Sequence, residues 1–333
     1  MRRVIYPQYR TYITSFSSVV GKHEHEGPLG DFFDVFDTEN RFGRETWEQS
    51  ESEMQYCALN LALEKRGYGE EDVSLLLSGD LTNQCAASHF GAIDVSVPQI
   101  NVYGACSTLA EEFILGAAFV GSGLTDNALC VTSSHFCTAE RQFRSPVEYG
   151  GQRSPTSQWT VTGAGAFLLE CEGNGPYIAD VFPGITVDMG IGDSSNMGGA
   201  MAPAVIDTLS AYFRETSTSP ENYDLIITGD LGKEGVRITD ELLSGKGYDL
   251  FGRHADCGLL IYDAEKQDVH CGGSGCGCSA SVMAAHFLPM MRSGELRDVL
   301  FLATGALLST NSVQQKLTIP SVAHLVHLKT EEL

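Results

Sequence analysis

Two segments of the chain repeat each other, and this repeat is the strongest constraint that the sequence places on the fold. Residues 73–81 and 224–231 are short apolar runs that both end in Gly-Asp-Leu, and their aspartates, Asp80 and Asp230, are 150 residues apart. Such a run, closed by a turn, is typical of a short buried strand. The sequence therefore predicts two equivalent strands, each followed by a turn that carries an aspartate.

A second repeat follows these strands at a larger offset. Cys106 and Cys278 each lie in a turn that opens a helical stretch, and they are 172 residues apart. The apolar runs at 128–133 and 300–305, which we interpret as strands, are also 172 residues apart. Because two independent pairs share one offset, we predict a duplicated α/β unit with about 22 additional residues early in the second copy.

A helix is predicted before the first strand of each copy. In the second copy it covers residues 202–213, with Pro203 in its first turn, where a helix tolerates proline. In the first copy, apolar residues recur with helical spacing at Met54, Cys57, Ala58, Leu61 and Ala62. Mostly parallel sheets covered by helices, with one shared core, are the implied architecture. Residues 134–159 form the main insertion, and loops of that length are usually functional or form interfaces.

The composition limits what the chain can bind. Its formal net charge of -22 disfavours contact with nucleic acid or anionic lipid, so an anionic ligand needs a local cationic site or a bridging metal. The start of the chain lacks the apolar segment of a signal peptide, and the longest apolar runs, 113–120 and 299–308, are too short to cross a bilayer. Ten cysteines without a CxxC pair favour reduced, mostly buried thiols.

Cys106 is the residue with the clearest chemical potential. It lies between a predicted strand at 100–103 and a predicted helix at 107–120, and a thiol at a helix N-terminus has a lowered pKa. That arrangement is typical of a nucleophilic cysteine. The alternative is a small buried thiol that fills a tight turn. The strand-turn-helix context favours a position in a binding pocket.

Other polar residues have a functional and a structural interpretation. His135 ends a predicted strand, where it could donate to an anionic ligand or be a satisfied buried histidine. Arg141 and Arg144 share a face if they are helical, and they could bind an anion or form structural ion pairs or a dimer contact. Asp80 and Asp230 lie at equivalent turns and could line the site or cap those turns.

A glycine-rich segment near the second cysteine turn is not a metal or phosphate motif. Cys271, Cys276 and Cys278 lack the further matched ligands of a zinc or iron–sulfur site. Residues 272–275 lack both the Lys-Ser/Thr pair of a P-loop and the GxGxxG spacing. We therefore predict no resident metal in this segment.

The turn at residues 104–108, with a strand before it and a helix after it, resembles the nucleophile turn of thiolases and β-ketoacyl-ACP synthase III. Stretches over nearly the whole chain resemble the stage V sporulation protein AD family, namely residues 24–30, 132–135, 138–144, 148–152, 194–208, 256–258, 272–276 and 303–309. The resemblance implies a thiolase-like α/β fold with two duplicated mixed-sheet halves, 1–183 and 184–333, intertwined in a layered α/β/α/β/α arrangement.

The sequence departs from the condensing enzymes at two positions. Those enzymes pair the cysteine with a histidine and an asparagine, whereas this chain has Asp230 and Cys276 at the matching places. A carboxylate beside Cys106 raises the pKa of the thiol and offers no donor to a thioester oxyanion. We therefore expect no condensation chemistry, although the substrate cavity is retained.

The family resemblance implies a ligand, dipicolinic acid (pyridine-2,6-dicarboxylate) or its calcium chelate, with no other cofactor. It also implies that the chain is the soluble subunit of the SpoVA assembly, which moves this compound into and out of spores. The chain would lie peripherally on the inner spore (forespore) membrane with other SpoVA membrane proteins, and would form a homodimer through edge strands of the first half. The expected ligand-binding residues are Asp80, Cys106, His135, Arg141, Arg144, Asp230, Ser274, Cys276 and Cys278.

Two alternatives remain at this point. The chain could be an acyl-thioester condensing or hydrolysing enzyme that uses Cys106, or a structural subunit that uses the inherited fold as a scaffold. Binding of dipicolinate separates the first interpretation from both alternatives.

Overall fold

A computed structural model describes residues 3–143 and 153–331 of the chain. The strands are β1 (Thr11–Gly21), β2 (Val35–Asp37), β3 (Leu76–Gly79), β4 (Gln99–Asn101), β5 (Asn127–Ser134), β6 (Trp159–Thr160), β7 (Gly163–Glu170), β8 (Tyr177–Phe182), β9 (Leu225–Thr228), β10 (His254–Asp256), β11 (Gly273–Ser274), β12 (Asp298–Ala306) and β13 (Ser321–Lys329).

The α-helices are α1 (Lys22–His25), α2 (Trp47–Arg66), α3 (Ala86–Gly91), α4 (Thr108–Gly121), α5 (Phe136–Phe143), α6 (Met197–Thr216), α7 (Gly232–Gly245), α8 (Cys257–Leu260), α9 (Cys276–Val282), α10 (Leu288–Ser293) and α11 (Thr310–Gln314). A π-helical turn, Met283–Phe287, joins α9 to α10. Within the described ranges, no helix has the length and apolar character that a bilayer span requires.

The predicted duplication is confirmed by the strand order. The first half has the order β4-β3-β5-β7-β1 and the second has the order β10-β9-β12-β13-β8. In both, the first three strands are parallel and the last two run antiparallel to their neighbours. The halves meet where β1 pairs with β8. The proposed division at 183/184 stays a prediction. Strand β8 precedes this division in sequence, although it takes the place in the second half of the sheet that β1 takes in the first.

The layers are those expected for the fold class. The helices α4 and α9 lie between the two halves of the sheet, α2 and α3 cover the outer face of the first half, and α6 and α7 cover the outer face of the second. Strands β5 and β7 are buried along their whole length, because helices pack on both of their faces. The central layer thus brings the N-terminal ends of α4 and α9 close to both halves.

The two leading helices form, although their details differ from the prediction. Helix α2 begins at a capping box formed by Thr46 and Gln49. Of its predicted apolar face, Met54, Ala58 and Ala62 are buried, whereas Cys57 and Leu61 are only half-buried.

The predicted start of the second helix was wrong. Helix α6 begins six residues before Pro203, at Met197, and the Asn196 side chain caps it by accepting a 3.0 Å hydrogen bond from the Gly199 N–H. Small residues in this first turn gave no apolar period in the sequence. They are required by packing, since a Cβ on Gly198 would lie 2.5 Å from the Leu231 carbonyl oxygen of the neighbouring turn.

A close backbone contact joins the two halves at the turn before Cys106. Gly305 on β12 lies against this turn, and a Cβ on Gly305 would come within 2.0 Å of the Gly104 carbonyl oxygen. Because backbone cannot move aside as a flexible side chain can, only glycine fits here without a shift of the turn.

We expect Gly305→Ala to lower the free energy of unfolding by about 1–3 kcal/mol, the usual range for overpacking in a core. Denaturant unfolding would measure the change. Gly245→Ala is the matched control, because a Cβ at Gly245 meets nothing within 4 Å, and it should stay within about 0.5 kcal/mol of the parent. Equal effects of the two changes would mean that the contact between Gly305 and Gly104 does not constrain the fold.

Candidate functional site

The Cys106 turn is tightly held by its own hydroxyl groups. A 3-10 turn, Ala105–Ser107, connects the segment after β4 to α4, and Ala105 has a φ of 54°, a left-handed conformation that is unusual for alanine. The Ser107 hydroxyl donates to the Gly104 carbonyl at 2.7 Å, and the Thr108 hydroxyl donates to the Ala105 carbonyl at 2.7 Å. The turn therefore holds Cys106, which is 8% exposed, in a fixed position.

Three turns converge here, namely the Cys106 turn, the turn after β9 that carries Asp230, and the glycine-rich segment that carries Ser274. The Cys106 Sγ lies 3.9 Å from the Ser274 Oγ. The Ser274 hydroxyl and the Gly275 N–H both donate to Oδ2 of Asp230, at 3.0 and 2.9 Å. The other carboxyl oxygen, Oδ1, is buried and has no hydrogen-bond partner among the described residues. Thiol, hydroxyl and carboxyl groups thus share one small buried site.

Burial and charge make the Cys106 thiol unreactive. Burial raises its pKa well above the ordinary value, and the neighbouring Asp230 carboxylate raises it further. The direction of this shift is opposite to the lowered pKa expected for a thiol at a helix N-terminus. Burial also raises the pKa of Asp230, to about 7, against the hydrogen bonds that it accepts. The site therefore holds a neutral thiol beside an acid that changes charge near neutral pH.

The two other predicted cysteines have different surroundings. Cys276 packs against Cys106, Leu81 and Ala139, and its thiol donates to the Ser133 carbonyl at 2.9 Å. Cys278 lies in the central core instead, where its N–H donates to the Gly275 carbonyl at 3.0 Å. The Cys278 N–H is therefore engaged within the protein and is not available as the ligand donor that we expected.

Asp80 is bound within its own half. One carboxyl oxygen accepts hydrogen bonds from the N–H and the hydroxyl group of Thr82, and the other accepts from the same two groups of Ser88. The two bonds from N–H groups are 2.7 Å long for Thr82 and 2.8 Å long for Ser88. These four donors saturate the carboxylate. The structure thus supports the turn-capping interpretation of Asp80, whereas its repeat partner, Asp230, has one oxygen left without a donor.

His135 also has no group to offer a ligand. Its Nε2 lies 2.9 Å from the Asn40 carbonyl oxygen, and its Nδ1 accepts the Cys137 N–H at 3.1 Å. Burial lowers the pKa of His135 to about 4, so the ring is neutral near pH 7. The expectation of a histidine donor is corrected on this geometry, because a partner 95 residues away in sequence occupies Nε2.

Arg141, one of the two predicted arginines, does not reach the site. Arg141 is exposed on α5 and forms an ion pair with Glu48, in the first turn of α2. Its partner and exposure support the structural interpretation. Arg144 lies outside the described residues, so its expected role in binding stays a prediction.

Gln158 is a site residue that the sequence reasoning missed. It is buried, and its Nε2 donates to the carbonyl oxygens of Asp230 and Gly273 at 2.8 and 2.9 Å. It thereby ties the Asp230 turn to β11. Gln158 belongs to the 134–159 insertion and has no counterpart in the repeat, so no sequence signal marked it.

Metal ligands do not cluster in the described ranges. No group of three or more His, Cys, Asp and Glu side chains there has the arrangement to hold a metal ion.

The fold and site define a thiolase-like protein. The structure of 3-oxoacyl-[acyl-carrier-protein] synthase III from Aquifex aeolicus VF5 is similar over 96% of this chain and 99% of its own, with a TM-score of 0.54 and 16% identity. Cerulenin-bound OleA from Xanthomonas campestris is similar over 97% of this chain and 100% of its own, with a TM-score of 0.60 and 14% identity. At these identities the likeness establishes the fold alone.

The sequence establishes the family. The model of the family described as stage V sporulation protein AD (SpoVAD) matches residues 2–329. Stage V sporulation protein AD of Bacillus subtilis (strain 168) is 42% identical over 317 residues, which cover 95% of this chain and 94% of the relative. The chain belongs to the stage V sporulation protein AD family, and is therefore a sporulation protein.

The low reactivity expected of the Cys106 thiol can be tested by alkylation. At pH 8 we expect iodoacetamide to modify Cys106 about tenfold faster in Asp230→Asn than in the parent, because loss of one adjacent charge lowers the thiol pKa by about one unit. Peptide mass spectrometry over time gives the rate. Asp268→Asn, at a residue whose side chain is 87% exposed, removes the same formal charge and should leave the rate unchanged. A fast parent reaction that neither change affects would contradict the assigned electrostatics.

Proposed function

We propose that this chain binds dipicolinic acid, or its calcium chelate, at the site formed by Cys106, Asp230 and Ser274, and that it does not catalyse acyl transfer. The single observation that carries the proposal is the pairing of a buried Cys106 thiol with the Asp230 carboxyl group. Membership of the sporulation family supplies the identity of the ligand, as the resemblance implies.

The argument against catalysis rests on charge. A thiolate is the nucleophile in acyl transfer, and a thiol whose pKa is raised by burial and by a carboxylate has very little of it at neutral pH. Cys276, at the place where condensing enzymes have an asparagine, uses its thiol on the Ser133 carbonyl. The groups that lie around Cys106 therefore give a developing oxyanion little support.

The argument for binding rests on the small polar groups that remain. Ser274 is half-buried and lies at the boundary between the buried Asp230 and the exterior, so its hydroxyl is within reach of a ligand. A flat dicarboxylate fits a narrow site built from such turns better than a bulky acyl chain does. A site matched to two carboxylates would select a dicarboxylate over a monocarboxylate, because the monocarboxylate leaves polar groups of the site unpaired.

We expect the purified protein to bind dipicolinate more tightly than picolinate or benzoate in isothermal titration calorimetry. Cys106→Leu should abolish this binding by bulk, and Cys171→Leu, at a half-buried cysteine just after β7, is the matched control that should preserve it. Equal affinity for all three acids would contradict a site matched to two carboxylates. Turnover of acetyl-CoA through an acylated Cys106 would favour the enzyme alternative.

Assembly is the second part of the proposal. We propose a homodimer through the free edge of the first half, where β4 ends the strand order and Ile100 is 40% exposed. On the adjoining helix α3 and just after it, Phe90 and Ile93 are 65% and 70% exposed. An unpaired edge flanked by apolar side chains is a ready surface for a second strand. Other SpoVA membrane proteins would then hold this dimer at the inner spore membrane.

The proposed dimer predicts a defined effect of charge at the edge. Light scattering at micromolar concentration should give the mass of a dimer, and Ile100→Lys should shift it to that of a monomer, because a buried lysine in the interface is unpaired. Leu124→Lys, at a residue 73% exposed just after α4, should leave the dimer intact. A monomeric parent would contradict the homodimer.

A further inference from the structure

The hydrogen bonds of Asp230 are distributed unevenly over its two oxygens. Ser274 and Gly275 both donate to Oδ2, and Oδ1 is buried without a partner among the described residues. Asp230 as a whole is 1% exposed, so its carboxyl group is shielded from bulk solvent. An ionised carboxylate needs donors on both oxygens, whereas a neutral carboxyl group needs acceptor capacity on one and carries a proton on the other.

The groups that face Asp230 do not neutralise it. They are the Cys106 thiol from the turn before α4, the Cys278 thiol from α9, the Cys257 thiol at the start of α8, and the carboxyl group of Asp256 at the end of β10. None of these groups is cationic, although a hydrogen bond with the Cys106 thiol lowers the pKa of Asp230 against the larger effect of burial. The arrangement thus favours an uncharged Asp230.

Asp256 differs from Asp230 in its hydrogen bonds. Its carboxyl oxygens accept the Thr228 hydroxyl at 2.6 Å, the Leu231 N–H at 2.8 Å and the Gly232 N–H at 3.1 Å. Burial raises the pKa of Asp256 as well, but donors on both of its oxygens oppose this shift, so Asp256 keeps its charge more readily than Asp230 does. Its negative charge adds to the cost of ionising Asp230, and of the two acids Asp230 is the one arranged to take a proton.

A bound dicarboxylate would raise the cost of ionising Asp230 further. The chain has a net charge of -22, and an ionised Asp230 would repel each carboxylate that approached Cys106 and Ser274. A protonated Asp230 would instead offer a hydrogen-bond donor to the same carboxylate. The unpartnered Oδ1 is the atom that could carry this proton.

We propose that Asp230 binds the ligand as a neutral acid, with its Oδ1–H donating to a ligand carboxylate, so that each anion enters the site together with one proton. This inference rests on the proposed function. The only bond that forms is the O–H bond of Asp230, and the solvent buffer supplies the proton. Burial raises the pKa of Asp230 to about 7 in the free protein, which places the coupling in the neutral range.

Proton uptake can be measured directly. Calorimetry of dipicolinate binding in calcium-free buffers with different ionisation enthalpies gives the number of protons taken up for each ligand bound. We expect almost none at pH 5.5, where Asp230 is already protonated, and nearly one at pH 8. The affinity should fall about tenfold for each pH unit above 7. Measurements between pH 7 and 8 lie well above the ordinary pKa of a carboxyl group, so protons of the ligand itself do not contribute there.

A variant tests whether Asp230, and no other titratable group, takes up the proton. Asp230→Asn retains an oxygen that can accept from Ser274 and Gly275, and adds an amide donor that does not titrate. It should bind dipicolinate at pH 8 at least as tightly as the parent binds at pH 5.5, without proton uptake. Asp268→Asn serves as the charge control and should keep the pH dependence of the parent.

The outcomes distinguish this inference from the proposed function. Binding at pH 8 without proton uptake, or unchanged uptake in Asp230→Asn, would overturn the inference and leave the binding function intact. Tight binding at pH 8 that appears only when calcium is added, still without uptake, would overturn it too and show that the metal takes the place of the proton. No binding of dipicolinate at any pH, with or without calcium, would overturn both. The buffer series on the parent protein decides the matter even if the variant does not fold.

Discussion

The contact between the Asp230 carboxyl group and the Ser274–Gly275 turn is the interaction on which the site depends. It joins the turn after β9 to the segment that opens α9, at 3.0 and 2.9 Å, and it places both beside Cys106 from the other half of the molecule. The duplicated fold brings these turns together at the N-terminal ends of α4 and α9. Close glycine contacts, such as that of Gly305 with Gly104, allow the halves to approach closely enough.

The same contact determines what the site can do. An acid buried next to a thiol suppresses the thiolate, and the buried acid is itself driven towards its neutral form. On the proposed function, a site that is poor at nucleophilic catalysis would hold an anion through a proton. The chain thus combines a thiolase-like fold with a buried Asp230 beside Cys106, and with a Cys276 thiol that donates to the Ser133 carbonyl.

The sequence predicted the features that repeat or follow a period. The duplicated strands, the central turns and the juxtaposition of Cys106 with Asp230 follow from two matching offsets and from the family resemblance. The roles of single polar side chains could not be read in the same way. His135 is occupied by Asn40, and Arg141 by Glu48, and both partners are distant in sequence. The repeat also made Asp80 and Asp230 look equivalent, although only Asp80 has local donors for both oxygens.

The charge state of Asp230 with and without ligand is the most direct test of this account. Carbon-13 NMR of labelled aspartate carboxyl groups, with the Asp230 signal assigned by its loss in Asp230→Asn, would follow that charge against pH. The account predicts titration near pH 7 in the free protein and a higher midpoint in the presence of saturating dipicolinate. Titration near the ordinary aspartate value of 3.8, or a midpoint that dipicolinate does not move, would contradict it.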